Sequence, residues 1–496
     1  MGIMRTKSIE QSIQDTEDPE FKLNKSLGPV DLTVFGIGVI IGTGLFVLTG
    51  EAAALYSGPA IALSYVVAGV ACALAAVCYA EFASTVPVAG SAYTFSYAAL
   101  GEFVAWLIGW DLILEFTLGA ATVAKGWSGY LVSVMELIGI TVPTALYAAE
   151  GGGLSHDYIA VLVIIAVTAI LVIGIKLSSQ FNQVITAIKI LVTIFIIGFG
   201  VWFIDAANLT PFIPAPAPAE GGYGTGIDAY LIPSILGIDT IFGVTGIFTG
   251  AALVFFAYIG FDIVATTSEE ARNPQRDIPI GIFASLGICT VLYILASVVF
   301  TGLVPYKDLA TAAPAATALE ATPFPAAQFV VSAAILVGLT VVCMILILGQ
   351  SRVAFAMSRD NLLPRWFAGV HPTFRTPYRI TIITGIVSAA LTFALPLTTL
   401  GELVNIGTLA AFVLVSIGVL VLRRTQPDLP RAFKTPFVPA LPIAAALLCL
   451  FVMGFLTIGT WLRFLVWMGL GLIIYFAYGR THSRLAREDS STGSDA

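Results

Sequence analysis

Glycine is concentrated in one stretch of the first long apolar segment of this 496-residue chain. Residues 36–46 read GIGVIIGTGLF, and four of the first nine are glycine: Gly36, Gly38, Gly42 and Gly44. Glycine weakens a helix, and a backbone N–H or C=O freed inside lipid needs a partner from protein, ligand or water. The stretch therefore predicts a break in a membrane helix and a candidate binding site.

A second interruption occurs in a later apolar segment, where residues 255–262 read FFAYIGFD. Gly260 and Asp262 interrupt the run near its middle, and the charged sequence EEARNPQRDIPIGI begins at residue 269. Two interrupted spans that are five spans apart are what a pair of inverted five-span repeats would give, with a site between them at the bilayer midplane. The repeat is inferred from this spacing alone.

Two charged residues inside apolar segments are candidates for function, because a charge within lipid needs a partner or a role. Lys189 lies in ITAIKILVTIFIIG, where burial would disfavour its charged form and suit it to carry a proton; snorkelling to the interface is the alternative. Glu115 follows Asp111 by one helical turn, so the two carboxylates share a face. Pairing with Lys125, or solvation at a helix end, is an open alternative for Glu115.

The composition requires elements that cross a membrane many times. Hydrophobic residues make up 58% of the chain, charged residues 11%, and the mean hydropathy is +0.95, whereas soluble domains have about 25% charged residues. About 20 apolar residues cross a bilayer, which predicts twelve spans: 31–55, 59–83, 96–120 (or on to about 135), 156–175, 183–204, 246–268, 279–303, 326–350, 379–396, 402–422, 437–458 and 462–479.

Basic residues predict the orientation of these spans. With a cytoplasmic N-terminus, 19 of the 23 Lys and Arg residues fall on the inside, as positive charge usually does, so both termini are expected to be cytoplasmic. All five cysteines lie in apolar runs, which argues against a disulfide-linked partner subunit and against a metal site. No basic face is available for nucleic acid. The lipid bilayer is the expected surrounding.

Three motifs resemble those of the amino acid–polyamine–organocation (APC) superfamily, in order and in spacing: GVIIGTG at 38–44, FFAYIGFD at 255–262 and EEARNPQRDIPIGI at 269–282. The last is closest to the cationic amino acid transporter branch. The resemblance implies an all-α integral membrane protein of about 12 transmembrane helices. These would form two inverted five-helix repeats of the APC/LeuT-like kind, with helices 1 and 6 broken, plus two C-terminal helices.

On this resemblance the chain divides into a cytoplasmic N-terminal segment, 1–30, a transporter domain, 31–480, and a disordered cytoplasmic tail, 481–496. Within the domain the first repeat would cover 31–204, the second 246–422, and helices 11 and 12 would lie in 437–479.

The resemblance also implies a site for an amino acid between the two breaks. Its carboxylate would bind freed amides of the first span, which a helix N-terminus suits, and its ammonium would bind freed carbonyls of the sixth. Glu115 matches a third-span glutamate near the ammonium or side chain in related cationic transporters, and Lys189 matches a fifth-span lysine that proton-coupled members place beside the first break. The expected amides are those of Ile40, Gly42, Thr43 and Gly44, and the expected carbonyls those of Phe256, Ala257 and Ile259.

The expected function is secondary active amino acid transport in the cell membrane, by proton symport and alternating access, without a cofactor or metal. An exchanger and a sodium-coupled transporter are alternatives, and an amino acid sensor or channel is the alternative of a different class. An enzyme is not expected, because His156, His371 and His482 all lie in loops or the tail. Whether cationic or neutral side chains are accepted stays open.

Overall fold

The computed structural model describes residues 26–85, 91–147, 156–174, 179–218, 226–238, 240–266 and 270–486. Within these ranges twelve apolar helical segments follow one another, and two short strands, Ala217–Pro218 and Thr240–Ile241, pair in an extramembrane loop. The segments are α1 (Pro29–Ile40 and 44–57), α2 (Ile61–Thr85), α3 (Glu102–Leu137), α4 (Tyr158–Ile173), α5 (Ser179–Gly200), α6 (Gly243–Val254, a tight turn at Phe255–Tyr258, and Ile263–Thr266), α7 (Pro274–Leu303), α8 (Pro325–Arg359), α9 (Tyr378–Ala394), α10 (Leu397–Thr425), α11 (Ala440–Met453) and α12 (Ile458–Ile474).

The predicted spans correspond one to one with these segments, and the main differences lie at helix ends. α3 begins at Glu102 rather than at 96, because Gly101, with φ 94°, separates it from a short helix, Ser91–Ala99. α3 also runs on to Leu137, the longer of the two predicted lengths. α8 continues to Arg359, beyond the predicted end at 350, and several residues of its last turns, among them Val353, Ala354 and Met357, are buried in the protein.

Packing between the segments relates the first five to the second five. α2 packs along α7, α3 along α8 and α4 along α9, and the break in α1 meets the break in α6. Segments five apart cross the membrane in opposite directions. The architecture is therefore the predicted one: two inverted five-helix repeats with α1 and α6 broken, followed by α11 and α12.

Glycine allows the two breaks to touch. A Cβ added to Gly44 would overlap the Cα of Ala257 in α6, and one added to Gly260 would overlap Val39 in α1. Gly260 also has φ 117°, a conformation that other residues rarely adopt. Neither position therefore has room for a side chain, which explains why glycine lies at both.

The structure describes part of each of the two end segments that were predicted to be cytoplasmic, residues 26–30 and 481–486. Leu27 pairs with the segment before α7, where its N–H donates to the Glu270 carbonyl at 2.9 Å. After α12, Ser483 is buried and the Arg484 N–H donates to the Asp360 carbonyl at 3.1 Å. The rest of the predicted tail, 487–496, and residues 1–25 lie outside the described residues.

Candidate functional site

The break in α1 leaves three consecutive amides without a helical partner. The hydrogen-bond ladder of the first half ends at the Ile41 N–H, which donates to Ile37 at 2.9 Å, and resumes at the Leu45 N–H, which donates to Gly42 at 3.2 Å. Within the described part of the chain, no acceptor contacts the N–H groups of Gly42, Thr43 and Gly44. These are the donors that a bound carboxylate could use.

Ile40 differs from its predicted role. It is the last residue of the first half-helix, so its amide belongs to that helix and not to the break. Its carbonyl accepts a hydrogen bond from the Tyr293 hydroxyl at 2.7 Å. Thr43 adds a donor that was not anticipated, because its hydroxyl is buried and has no partner among the described residues. The first break thus offers three amides and one hydroxyl.

The break in α6 offers fewer free carbonyls than expected. The Phe256 carbonyl accepts the Ile259 N–H at 3.2 Å, and the Ala257 carbonyl accepts the Tyr293 hydroxyl at 3.0 Å. No donor within the described ranges contacts the Ile259 carbonyl, which follows the tight turn in an extended conformation. Of the three predicted acceptors, Ile259 is therefore the one that is unoccupied, while the other two retain only a second lone pair.

Tyrosines of α2 and α7 bind the carbonyls that the breaks release. The Tyr293 hydroxyl contacts both Ile40 of α1 and Ala257 of α6, and the Tyr65 hydroxyl donates to Gly44 at 3.1 Å. Asn405 of α10 similarly donates to Ala252 and Leu253, at 2.7 and 2.9 Å. Sequence reasoning missed these residues, because a tyrosine in an apolar helix is usually part of the core.

A small cavity lies where the two breaks face α3 and α8. Its wall includes six of the eight residues predicted to bind substrate, and neither Ala257 nor Glu115 is among them. Ala257 lies behind the wall, in contact with Gly44. The lining residues are Val39, Ile40, Gly42, Thr43, Gly44, Gly119, Val123, Phe256, Ile259, Val342 and Leu346.

Lys189 of α5 lies beside the first break, as predicted, and not at an interface. Its side chain is 3% exposed, and its Nζ donates to the carbonyls of Gly38 at 2.7 Å and Ile41 at 3.1 Å. These carbonyls are at the C-terminal end of the first half-helix, where the helix dipole favours a positive charge. Gly338 of α8 packs against the methylene groups of the lysine. The ammonium thus joins α5 to the end of a broken helix.

Glu115 lies with two other carboxyl groups, one turn along α3 from the cavity. It interacts electrostatically with Asp262 and Asp111 and lies close to Thr408 of α10. All three carboxyl side chains are at most 3% exposed, and each has at least one oxygen without a partner among the described residues. Lys125, the alternative partner of Glu115, interacts electrostatically with Asp157.

Among the described residues, no group of three or more His, Cys, Asp and Glu side chains is arranged to hold a metal ion. The candidate site is therefore built from backbone groups at two helix breaks, one hydroxyl, one lysine and an apolar wall.

Known proteins with similar sequences include several transporters of small molecules. The family described as "Amino acid permease" matches residues 27–477. The chain is 44% identical to the "Methylthioribose transporter" of Bacillus subtilis, over 98% of this chain and 99% of that protein. It is also 44% identical to the "Branched-chain amino acid permease BcaP" of the same organism, with the same coverage. The "Cationic amino acid transporter 4, vacuolar" of Arabidopsis thaliana is 39% identical over 86% of this chain and 68% of its own length.

Proposed function

Because the chain belongs to the amino acid permease family, we propose that it is a secondary active transporter that carries an amino acid together with a proton by alternating access. Membership in the family confirms the resemblance to APC transporters and makes the chain a multi-pass membrane transporter and not an enzyme. The names of its relatives mention methylthioribose, branched-chain amino acids and cationic amino acids. An amino acid is the substrate that the site chemistry suits.

The substrate carboxylate binds the amides of Gly42, Thr43 and Gly44 in this proposal. The observation that carries it is that these three N–H groups lack acceptors within the described ranges and lie on the wall of one cavity, together with the unpartnered Thr43 hydroxyl. The second half of α1 begins at Gly44, so the positive end of its dipole adds to the attraction. The Ile259 carbonyl, across the cavity, accepts the substrate ammonium.

Lys189 is the proton carrier in this proposal. Its ammonium binds the Gly38 and Ile41 carbonyls in the closed state, at 2.7 and 3.1 Å, and loss of the proton removes the charge that attracts it to this helix end. The first half of α1 is then free to move, which opens the cavity to the cytoplasm. Freed backbone carbonyls are the groups that bind a sodium ion at broken helices, but the lysine already occupies these two, which favours a proton over sodium.

The location and organisation follow the sequence predictions and are part of the proposal. We infer a cell-membrane protein with both termini in the cytoplasm, because basic residues then concentrate on the cytoplasmic side. We retain the division into repeats at 31–204 and 246–422, with 437–479 as the last two helices. Alkylation of single cysteines introduced into loops, in intact cells and in inverted vesicles, tests this topology. Labelling of both end segments from outside would contradict it.

Uptake into proteoliposomes tests the transport mechanism. Purified protein is reconstituted, and labelled amino acids are offered with an imposed pH gradient, an imposed sodium gradient or neither. Accumulation above the external concentration only with an inward proton gradient is expected. A channel would not accumulate substrate and a sensor would not transport it, whereas an exchanger would need substrate inside. Accumulation driven by sodium alone would contradict the proton coupling.

A further inference from the structure

The segment that joins α8 to α9 exposes aromatic and basic side chains together. Trp366 is 57% exposed and Phe374 is 42% exposed. Arg379, in the first turn of α9, lies over the ring of Trp366, with its guanidinium carbon 5.1 Å from the ring centroid. Exposed apolar groups that adjoin one another mark a surface for a partner or a membrane. The set that we call the basic–aromatic surface consists of Arg365, Trp366, Phe374, Arg375 and Arg379.

Hydrogen bonds hold two of the arginines of this surface in place. Nη1 of Arg379 donates to the Trp366 carbonyl at 3.1 Å, and its Nε donates to the Tyr378 hydroxyl at 3.0 Å. Nε of Arg365 donates to the Asn361 side chain at 2.6 Å. Each guanidinium group has five N–H donors, so most of them are left for an oxygen ligand. Because the groups are already ordered, a ligand loses less entropy when it binds them.

The basic–aromatic surface lies at the level where two apolar helices end. α4 ends at Ile173 and α9 begins at Tyr378. The hydroxyl of Thr376, in the joining segment, donates to the carbonyl of Val172 in the last turn of α4 at 2.8 Å. Tryptophan and tyrosine are enriched at this boundary between hydrocarbon and water, and arginine side chains near helix ends reach the headgroups. The surface is therefore placed to contact lipid headgroups.

Charge determines which headgroup suits this surface. It contains three arginines, and the chain has no acidic residue from 361 to 401. Among the described residues, none of these arginines forms an ion pair with a carboxylate. Guanidinium groups bind phosphate oxygens with two parallel hydrogen bonds. A zwitterionic headgroup brings a second positive charge to the same place, whereas an anionic headgroup does not, so an anionic phospholipid fits better.

We propose that the basic–aromatic surface is a binding site for an anionic phospholipid. The arginines bind the phosphate of the headgroup, and the rings of Trp366 and Phe374 lie against the ends of the acyl chains. The site is separate from the cavity at the two helix breaks, and it concerns the lipid around the transporter and not the transported substrate. In the proposed topology it belongs to the cytoplasmic leaflet.

Quenching of tryptophan fluorescence by brominated lipids tests this proposal. The full-length protein is reconstituted in phosphatidylcholine bilayers that contain a rising fraction of lipid with brominated acyl chains, either phosphatidylglycerol or phosphatidylcholine. The signal of Trp366 is the difference between the wild type and Trp366→Phe. Each basic residue near an anionic lipid surface contributes about fivefold in binding. Phosphatidylglycerol should therefore bind beside Trp366 at least about fivefold more tightly than phosphatidylcholine, and high salt should reduce this preference.

Trp202 provides a matched control within the same molecule. Its side chain is 83% exposed at the end of α5, and the loop that follows, 205–245, contains no Lys or Arg. The signal of Trp202, taken as the difference from Trp202→Phe, should respond equally to the two brominated lipids. The comparison separates a local preference at the basic–aromatic surface from a general difference between the two bilayers.

Arginine variants separate the charge of the surface from its folding. Arg375 is exposed, and its side chain makes no hydrogen bond to a described residue, so Arg375→Gln should fold normally and lower the preference for phosphatidylglycerol by up to about fivefold. Replacement of Arg365, Arg375 and Arg379 together by glutamine should abolish the preference. Arg424→Gln, at the exposed end of α10, should leave the signal of Trp366 unchanged.

Four results would overturn the proposal. Equal quenching of Trp366 by the two lipids would show that the surface does not select the headgroup, and an undiminished preference in the triple variant would exclude the arginines. Quenching of Trp202 without any quenching of Trp366 would place the segment away from the bilayer. Displacement of brominated phosphatidylglycerol by inorganic phosphate at constant ionic strength would identify a soluble anion, and not a lipid, as the ligand.

Discussion

Replacement of Lys189 should separate transport from the proton gradient. Its ammonium makes two hydrogen bonds to the end of the first half of α1, and a hydrogen bond to a charged group contributes about 1.5–3 kcal/mol. Loss of both weakens the attachment of this half-helix by about 3–6 kcal/mol, or about 10²–10⁴-fold in the equilibrium between attached and released states. Lys189→Ala should therefore keep some exchange of substrate and lose accumulation.

The assay compares two modes of transport in the same proteoliposomes. One pH unit corresponds to about 1.4 kcal/mol per proton, so a symporter of one proton and one amino acid can accumulate its substrate about tenfold across such a gradient. The wild type should approach that ratio and Lys189→Ala should stay near one, while both exchange labelled for unlabelled substrate. Lys189→Arg places a group here that does not lose its proton. It should therefore hold the first half of α1 in place and slow both accumulation and exchange.

A lysine outside the site provides the control for this comparison. Lys307 is exposed in the loop between α7 and α8, and Lys307→Gln should accumulate substrate like the wild type. Undiminished accumulation by Lys189→Ala across the pH gradient would refute the role of this lysine in coupling. If Lys189→Ala still binds substrate but loses both exchange and accumulation, the idea that the ammonium mainly restrains α1 is also refuted.

Three further changes test the site and the contacts that hold it. Gly42→Leu should fill the cavity and abolish the stabilisation of the purified protein by substrate, without reducing membrane insertion. The control Gly198→Leu, where an added Cβ meets nothing within 4 Å, should keep that stabilisation; stabilisation of Gly42→Leu by substrate would contradict the site. Tyr293→Phe removes the single hydroxyl proton that the Ile40 and Ala257 carbonyls share, at a cost of about 1–3 kcal/mol. It should raise the KM for uptake about tenfold; an unchanged KM would contradict its positioning role. Glu81→Ala removes a fully buried carboxylate that accepts hydrogen bonds from Arg423 at 2.7 and 2.9 Å and lies 3.1 Å from the Nε of Arg431. It should destabilise the fold by about 3–5 kcal/mol, seen as a lower melting temperature that Glu81→Asp partly restores; an unchanged melting temperature would contradict it.

Local sequence signals were enough to predict the breaks and the lysine. A cluster of glycines weakens a helix wherever it occurs, and Lys189 is conspicuous in an apolar segment, so both features can be recognised without knowledge of their neighbours. The predicted order of spans is confirmed for the same reason. The start of α3 could not be predicted as well, because it depends on the positive φ of Gly101, and hydropathy does not indicate backbone conformation.

Contacts between distant segments could not be predicted in this way. Tyr293 binds Ile40, 253 residues away in the chain, and nothing in its own segment distinguishes it from a core tyrosine. The carbonyls of Phe256 and Ala257 were expected to be free but already accept hydrogen bonds. The donor to Ala257 comes from a distant segment, so the sequence around the break could not reveal it. The same limit explains Glu115, whose face of α3 was predicted correctly but whose neighbours, Asp262 and Thr408, come from α6 and α10.

The end of the first half of α1 is held by two donors with different properties. Lys189 binds the carbonyls of Gly38 and Ile41, and Tyr293 binds the carbonyl of Ile40 between them. On the proposed mechanism the lysine can lose its charge, whereas the tyrosine remains a neutral donor and also contacts Ala257 of α6. Deprotonation would therefore release the half-helix from α5 while its contact with the second break persists, so a movement that begins at α1 is passed to the carbonyl side of the site. Proton loss and substrate release would then follow from one displacement.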